Sequence, residues 1–275
     1  MSDSRVSEDG PRLERDQHGG VTLWVDDFPQ SYVDPADPGL LAFEYLAHLG
    51  TITDALAPAG ERLRVTHIGG GALTLPRYVE YTRPGSPQIV LEPTESVTEL
   101  VRRELPLPRG HRIRVRPVDG RRGLAEIATA SADFVVLDAF AEGSVPAELT
   151  SAEAVGELRR VLVTGGAAAL NLPDDPARRY LTRVLATLAG AFAELAIIAT
   201  HDVLKGRRFG NYVVLAGDSL PTAELAAGVA RSPFPSGVWG PPRCRLLAAS
   251  ASPLTDTDPL ASPAPPEARG WRVRG

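Results

Sequence analysis

Four short stretches of this chain carry residues whose types could do chemistry. They are Gly69-Gly70-Gly71, Glu92, Asp119-Gly120 and Asp138. Each follows an apolar, strand-like run, so each stands where a strand would end. A glycine turn lets backbone approach a ligand closely and points the N–H groups of a following helix at it. The dinucleotide pattern G-x-G-x-x-G fails here, because its third glycine position is Thr74. A pyrophosphate is therefore not required, and a nucleoside without phosphates is an admissible ligand. Glu92 lies about twenty residues beyond the turn, where an acidic side chain can accept hydrogen bonds from both ribose hydroxyls. Asp119 could accept from an adenine amino group. Asp138 would then sit over the reacting part of the ligand, where a carboxylate attracts a cation or takes a proton from an amine.

Each residue alone has a plainer role. Glu92, before Pro93, suits a solvated loop acid or a helix cap, and Asp119-Gly120 is an ordinary turn pair. Asp138 is the least ordinary, because a charge seldom ends a buried strand such as "FVVLD". Carboxylates at three successive strand ends after a glycine turn are far more specific than any one of them. Other candidates carry less. His67 lies inside an apolar run and reads as a core or edge histidine with its hydrogen bonds satisfied. His201 and Asp202 follow a strand and read as loop residues. The five histidines have no metal-ligand spacing, and the single cysteine, Cys244, makes neither a zinc site nor an internal disulfide.

The elements that must hold these residues follow from the pattern. Strands are predicted at 62–68, 87–91, 111–118, 132–138, 163–171, 194–200 and 210–216. Helical periodicity falls between most of them, at about 73–82, 95–105, 121–129, 151–161 and 175–190. Near-continuous apolar strands alternating with amphipathic helices imply an α/β fold, a doubly wound and mostly parallel sheet covered on both faces. Ligands bind such sheets beyond the carboxyl ends of the strands, at the switch point. Upstream, "VTLWVDDFPQSYV" alternates like a short hairpin and "GLLAFEYLAHLGTI" reads as a lead-in helix. Composition divides the chain into a charged, disordered 1–19, a hairpin and lead-in helix at 20–60, a nucleoside-binding region at 61–220 and an irregular Pro/Ala/Ser-rich tail at 221–275.

Of the 275 residues 43% are hydrophobic, which supports a sizeable core. A net charge of −5 argues against a nucleic-acid partner held by phosphate contacts. No apolar run is long enough to span a membrane, and the polar N-terminus lacks a secretory h-region. A cytoplasmic protein acting on a small-molecule acceptor is the expectation.

The order "HIGGG", "VLEP", "PVDGR" and "DFVVLDAF" resembles the spermidine synthase family, built on the Rossmann-like class I methyltransferase fold. "LWVDDFPQSYVDP" is similar to that family's N-terminal hairpin with its glutamine, here Gln30. "LLAFEYLAH" is similar to its Tyr-His-Glu segment, here Ala42, Phe43 and Glu44. "EGSVPAELTS", with Ser144, resembles its gating loop. The resemblance covers about residues 21–217. It implies that Glu92 holds ribose and Asp119-Gly120 the adenine. It places Gly69, Gly70, Gly71 and Gln30 along the thioether side of the nucleoside, and Asp138 as the catalytic aspartate. It also implies S-adenosylmethionine or its decarboxylated form as cofactor, and homodimer pairing through the N-terminal region.

Three positions depart from that family. The aspartate that anchors the cofactor's amino group is matched by Ala72. The tyrosine beside the polyamine is matched by Ala42, and the second aspartate after Asp138 by Ala141. Methyls there leave cationic amines poorly paired, with Glu44 and Glu142 as the nearby acids. Three readings follow in order. They are transfer of an alkyl group, most simply methyl, from S-adenosylmethionine; aminopropyl transfer with an altered amine site; and a nucleoside-binding homologue without turnover.

Overall fold

The computed structural model describes residues 10–25 and 28–266. The apolar runs become a central sheet of eight strands. β4 (Val65–Ile68), β5 (Gln88–Leu91), β6 (Ile113–Arg116), β7 (Ala132–Leu137) and β8 (Leu162–Asp174) pair in parallel. β9 (Glu194–Thr200), β10 (Gly210–Gly217) and β11 (Ser236–Trp239) extend it, joined by antiparallel pairings. The spatial order is β11-β9-β10-β8-β7-β4-β5-β6. The chain runs from β4 outward to β6, then returns to lay β7 on the other side of β4. That reversal makes the switch point at the ends of β4 and β7.

Alternation along the strands splits the core in two. Phe134 and Val136 point to one face, with Val213 and Leu215 of β10. Val135 and Leu137 point to the other, with Val214 and Ala216. The first face is covered by α1 (Glu44–Leu56), α2 (Thr74–Thr82) and α8 (Thr222–Ala230). The second is covered by α4 (Gly120–Glu126), α5 (Ala152–Val161), α6 (Arg179–Ala189) and α9 (Pro241–Ala248). α3 (Glu95–Glu104) follows β5, and the short α7 (His201–Leu204) follows β9. No helix among the described residues is long and apolar enough to cross a membrane.

Two stretches are more ordered than their composition suggests. The expectation of disorder over 1–19 fails at Arg12–Arg15, which forms β1, while residues 1–9 lie outside the described residues. β1 pairs with β2 (Val21–Val25), which pairs with β3 (Phe28–Val33), in a separate three-stranded antiparallel sheet. Asp16 closes the β1–β2 turn, accepting from the backbone N–H groups of His18 and Gly20 and from the Tyr32 hydroxyl at 2.8 Å. Such long-range closure is invisible to a count of charged residues. Likewise the irregular tail begins after Ala248 rather than at 221. Prolines stand at element boundaries there, Pro221 before α8 and Pro241 in the first turn of α9, where they are tolerated. Beyond, the chain runs over α5 and α6, with Ala152 N–H donating to the Leu254 carbonyl and Leu254 N–H to Thr187 Oγ1.

His67 is the core histidine expected. It is buried in β4, and its Nε2 lies 2.9 Å from Oε1 of Gln88, whose amide N–H in turn donates to the Pro76 carbonyl. Burial pushes His67 down to about 4 from 6.5. A histidine held neutral in the fold stabilises it above pH 6.5, and that stability is lost as pH falls through about 4. We therefore expect His67→Gln to narrow its stability gap to the unaltered protein by something on the order of 2–3 kcal/mol as pH falls from 7 to 4. Denaturant midpoints of the pair across that range check it; a gap independent of pH would contradict the buried, neutral state.

Candidate functional site

A cavity of about 730 Å³ opens beyond the carboxyl ends of β4, β5, β6 and β7. Gln30, Gly69, Gly70, Gly71, Glu92, Asp119, Gly120 and Asp138 all line it. The sheet ends form its floor. The β2–β3 hairpin, α1 and the loop after β7 form its sides.

The turn after β4 is shaped by what lies against each glycine. Gly69 has φ +96°, and a Cβ there would stand 2.1 Å from the Asp138 carbonyl oxygen. Asp138 N–H donates to the Ile68 carbonyl at 2.9 Å, so the two strand ends touch through backbone. Gly70 and Gly71 donate N–H bonds to Oε2 of Glu92, at 3.0 and 3.4 Å. Gly71 has φ +47°, and a Cβ there would meet Oγ of Ser31 at 2.4 Å. Ser31 Oγ also accepts from Ala72 N–H at 3.2 Å. The glycine turn is thus packed on the hairpin as well as open to the cavity.

The carboxylates already hold structure. Glu92 latches the glycine turn through Oε2 and its own loop through Oε1, which accepts from Thr94 N–H at 2.9 Å. Asp119 is the N-cap of α4, its Oδ1 accepting from Arg122 N–H at 2.8 Å. Neither takes the plainer role foreseen for it: Glu92 is neither a free loop acid nor the cap of α3, and Asp119 caps a helix instead of closing a turn, at positions that also face the cavity. Gly120 starts α4 hard against β4, where a Cβ would meet Ile68 Cγ2 at 2.4 Å.

Asp138 differs. Burial raises its carboxyl to about 6 from 3.8, against a single opposing bond, Asn171 Nδ2–H to Oδ1 at 2.9 Å. Tyr45 of α1 stands on the same cavity wall. Its hydroxyl donates to the Gln30 carbonyl at 3.3 Å. Burial, then the charges of Asp138 and Glu44, hold its phenol well above the ordinary range. Among the described residues, five carboxylates and one guanidinium line the cavity, and the guanidinium, Arg121, is paired with Asp256 at 3.0 Å. The field inside favours a cationic ligand.

Several expectations about the amine side change. Ala72 is buried in the apolar cluster of Leu23, Val33 and Val90 and does not line the cavity. Ala42 and Glu44 do not line it either. The hydroxyl that "LLAFEYLAH" lacks at Ala42, which precedes α1, stands three residues on at Tyr45, in the first turn of that helix. Ala141 and Glu142 do line the cavity, in a tight turn closed by two Ala141–Ser144 backbone bonds, with Glu142 at φ +51°. His201 and Asp202 lie on α7, outside the cavity. Asn171 was missed altogether, although it is the one polar residue within "AAALNL".

No family model matches this sequence, and no curated protein does. Solved structures do. The chain is similar to the crystal structure of a probable spermidine synthase from Corynebacterium glutamicum, at 28% identity and TM-score 0.83, covering 90% of this chain and 92% of that one. It is also similar to a spermidine synthase in complex with the transition state analogue AdoDATO, at 17% identity and TM-score 0.58, covering 81% and 76% of the two chains. Human methyltransferase-like protein 13, in complex with SAH, matches at 18% identity and TM-score 0.53, over 77% and 93%. The last two likenesses concern the fold. The chain has the Rossmann-like class I methyltransferase fold in its spermidine-synthase-like form.

The contact between Gly69 and Asp138 makes a direct prediction. Gly69→Ala must relieve a backbone clash at positive φ, and should cost at least about 3 kcal/mol. Gly110→Ala, also at positive φ (+84°) but with nothing within 4 Å, should cost only about 1 kcal/mol. Denaturant unfolding of both variants checks the difference; equal costs would mean that the β4 and β7 ends do not meet this closely.

Proposed function

We propose that this protein is a transferase that moves an alkyl group from an adenosyl sulfonium to a small acceptor. The carrying observation is the cavity at the switch point, ringed by Glu92, Asp119 and Asp138 at successive strand ends and acidic overall. The likeness over nearly the whole chain to a probable spermidine synthase supports the same reading.

In this reading the adenosyl group lies across the glycine turn. Glu92 takes a ribose hydroxyl. Its carboxylate already accepts three backbone N–H groups, and the 3.4 Å bond from Gly71 is the weakest and the one a hydroxyl displaces. Asp119 faces the adenine, and Gln30 with the glycines borders the sulfur. The acceptor enters beside Tyr45 and Asp138. Its lone pair attacks the carbon on sulfur, and the carbon–sulfur bond breaks. The bonding pair returns to sulfur as a neutral thioether, and the acceptor's proton passes to Asp138. Sulfonium is a good leaving group, so positioning and charge supply most of the acceleration.

S-adenosylmethionine is the donor we favour, with methyl the simplest group moved. Ala72, matched to the acid that would anchor the decarboxylated donor's amino group, is a methyl buried away from the cavity and supplies no such anchor. A second reading, aminopropyl transfer from the decarboxylated donor, is favoured by the five acidic groups and by Tyr45, which returns a hydroxyl to the acceptor side.

Calorimetry with S-adenosylmethionine, its decarboxylated form and methylthioadenosine separates the two readings. Methyl transfer predicts that S-adenosylmethionine binds at least as tightly as the decarboxylated compound. Preference for the decarboxylated compound by tenfold or more, or spermidine formed from putrescine, would install the second reading. Failure of all three to bind would remove the site. Glu92→Gln should weaken every adenosyl ligand by about tenfold or more, through loss of a charge-assisted hydrogen bond. Unchanged affinity in that variant would take Glu92 out of ribose binding.

Asp138→Asn should keep adenosyl binding and lose turnover about 100-fold or more. The same change should stabilise the protein. A carboxyl raised from 3.8 to about 6 opposes folding at pH 7 by up to roughly 3 kcal/mol, a cost absent below pH 4 where both states are protonated. A less stable Asp138→Asn protein at pH 7 would contradict the buried, uncompensated carboxylate.

A further inference from the structure

Asn171 lies in β8, which pairs with β7 so that Leu170 stands opposite Leu137. The next residue on each strand is therefore Asn171 beside Asp138, and Asn171 Nδ2 donates to Oδ1 of Asp138 at 2.9 Å. Asn171 is fully buried. Its remaining amide atom, Oδ1, is buried as well and has no hydrogen-bond partner among the described residues. The residues around it on the strand, Ala167, Ala168, Ala169, Leu170 and Leu172, are all apolar and buried. An unpaired buried carbonyl destabilises a fold, and an apolar residue of similar shape would avoid the penalty. The amide is retained in an apolar run with one of its two polar atoms unpaired. The other donates to Asp138.

The orientation is dictated by chemistry. An ionised carboxylate only accepts, so the amide must turn its N–H to Asp138 and leave its carbonyl orphaned. That bond occupies one oxygen of a carboxylate that lines the cavity.

We infer that Asn171 is a positioning residue for the transfer reaction: its amide N–H orients the Asp138 carboxylate, keeps it a proton acceptor and leaves Oδ2 for the acceptor substrate. This rests on the reading of Asp138 as the group that takes the acceptor's proton. The titratable group from α1 that faces Asp138 is Tyr45. Among the described residues, the other charged groups on the cavity wall are Glu92 after β5, Asp119 and Arg121 at the start of α4, and Glu142 and Glu148 after β7. Burial raises Asp138, and the Asn171 bond opposes it. Removing the bond leaves burial alone, so the carboxyl must rise further.

The experiment follows the Asp138 carboxyl carbon by NMR in aspartate-labelled protein without ligand, with Asp138→Asn used to assign it. The unaltered protein should titrate near 6. Asn171→Leu should raise the midpoint by at least about one pH unit, the size of a lost charge-assisted hydrogen bond. Asn171→Asp is isosteric, serves where the leucine variant does not fold, and should raise it as well, since two adjacent carboxyls share a proton. In turnover, the acidic limb of kcat should move up by the same amount, with KM for S-adenosylmethionine unchanged and the rate recovered by pH 9. An unchanged midpoint in a folded variant would overturn the inference. So would weakened adenosyl binding without a shift, which would put Asn171 in the donor site. A shifted midpoint in a protein without transfer activity would overturn the functional reading and leave the Asn171–Asp138 coupling standing.

Discussion

The missing side chain at Gly69 sets how closely the ends of β4 and β7 meet, and the site depends on that approach. Any Cβ there would drive into the Asp138 carbonyl. With it absent, Asp138 N–H bonds the Ile68 carbonyl and the Asp138 side chain is brought beside the glycine turn. A switch point in a doubly wound sheet leaves a crevice wherever the order reverses. Here its width is decided by one hydrogen atom in place of a methyl.

Around that contact the acidic residues divide their duties. Glu92 and Asp119 are tied to backbone N–H groups and hold the turn and the helix start that shape the cavity. Among the described residues the Asp138 carboxylate accepts from the Asn171 amide alone, and it bears the cost of burial. Groups that stabilise the fold and a group that destabilises it thus share one wall. This is the usual signature of a site whose chemistry is bought with stability.

Both distant ends of the described chain complete the enclosure. Ser31 of the hairpin packs on Gly71 and accepts from Ala72 N–H. At the other end, Ser262 Oγ accepts from Val145 N–H at 2.8 Å, behind the loop that carries Ala141 and Glu142 into the cavity. Asp256 and Asp258 pin the same segment to Arg121 and Arg183. The loop after β7 is therefore held from outside by a segment whose composition suggested no fixed place.

Local pattern and spacing were enough for the alternation of strands and helices, the strand-end positions and the ring of Gly69–Gly71, Glu92, Asp119 and Asp138. These are legible because apolar periodicity reports burial, and because a parallel sheet presents every strand's carboxyl end on one side. The strand β1, the ordered elements from Thr222 to Ala248 and the seat of the last segment were not legible. They rest on contacts outside the local pattern, the pairings of β1 with β2 and of β11 with β9, the burial of Leu225 and Cys244 in the two cores, and bonds such as Tyr32 to Asp16 and Leu254 to Thr187, which leave no periodic trace. The same holds within the site. That Ala72 faces an apolar cluster, that Tyr45 takes the place by the cavity and that Asn171 grips Asp138 were decided by packing between elements far apart in sequence. Residue types and spacing determined which chemistry was available at the strand ends; only the tertiary structure decided which side chains face one another there, because facing is set by register and packing across strands and not along the chain.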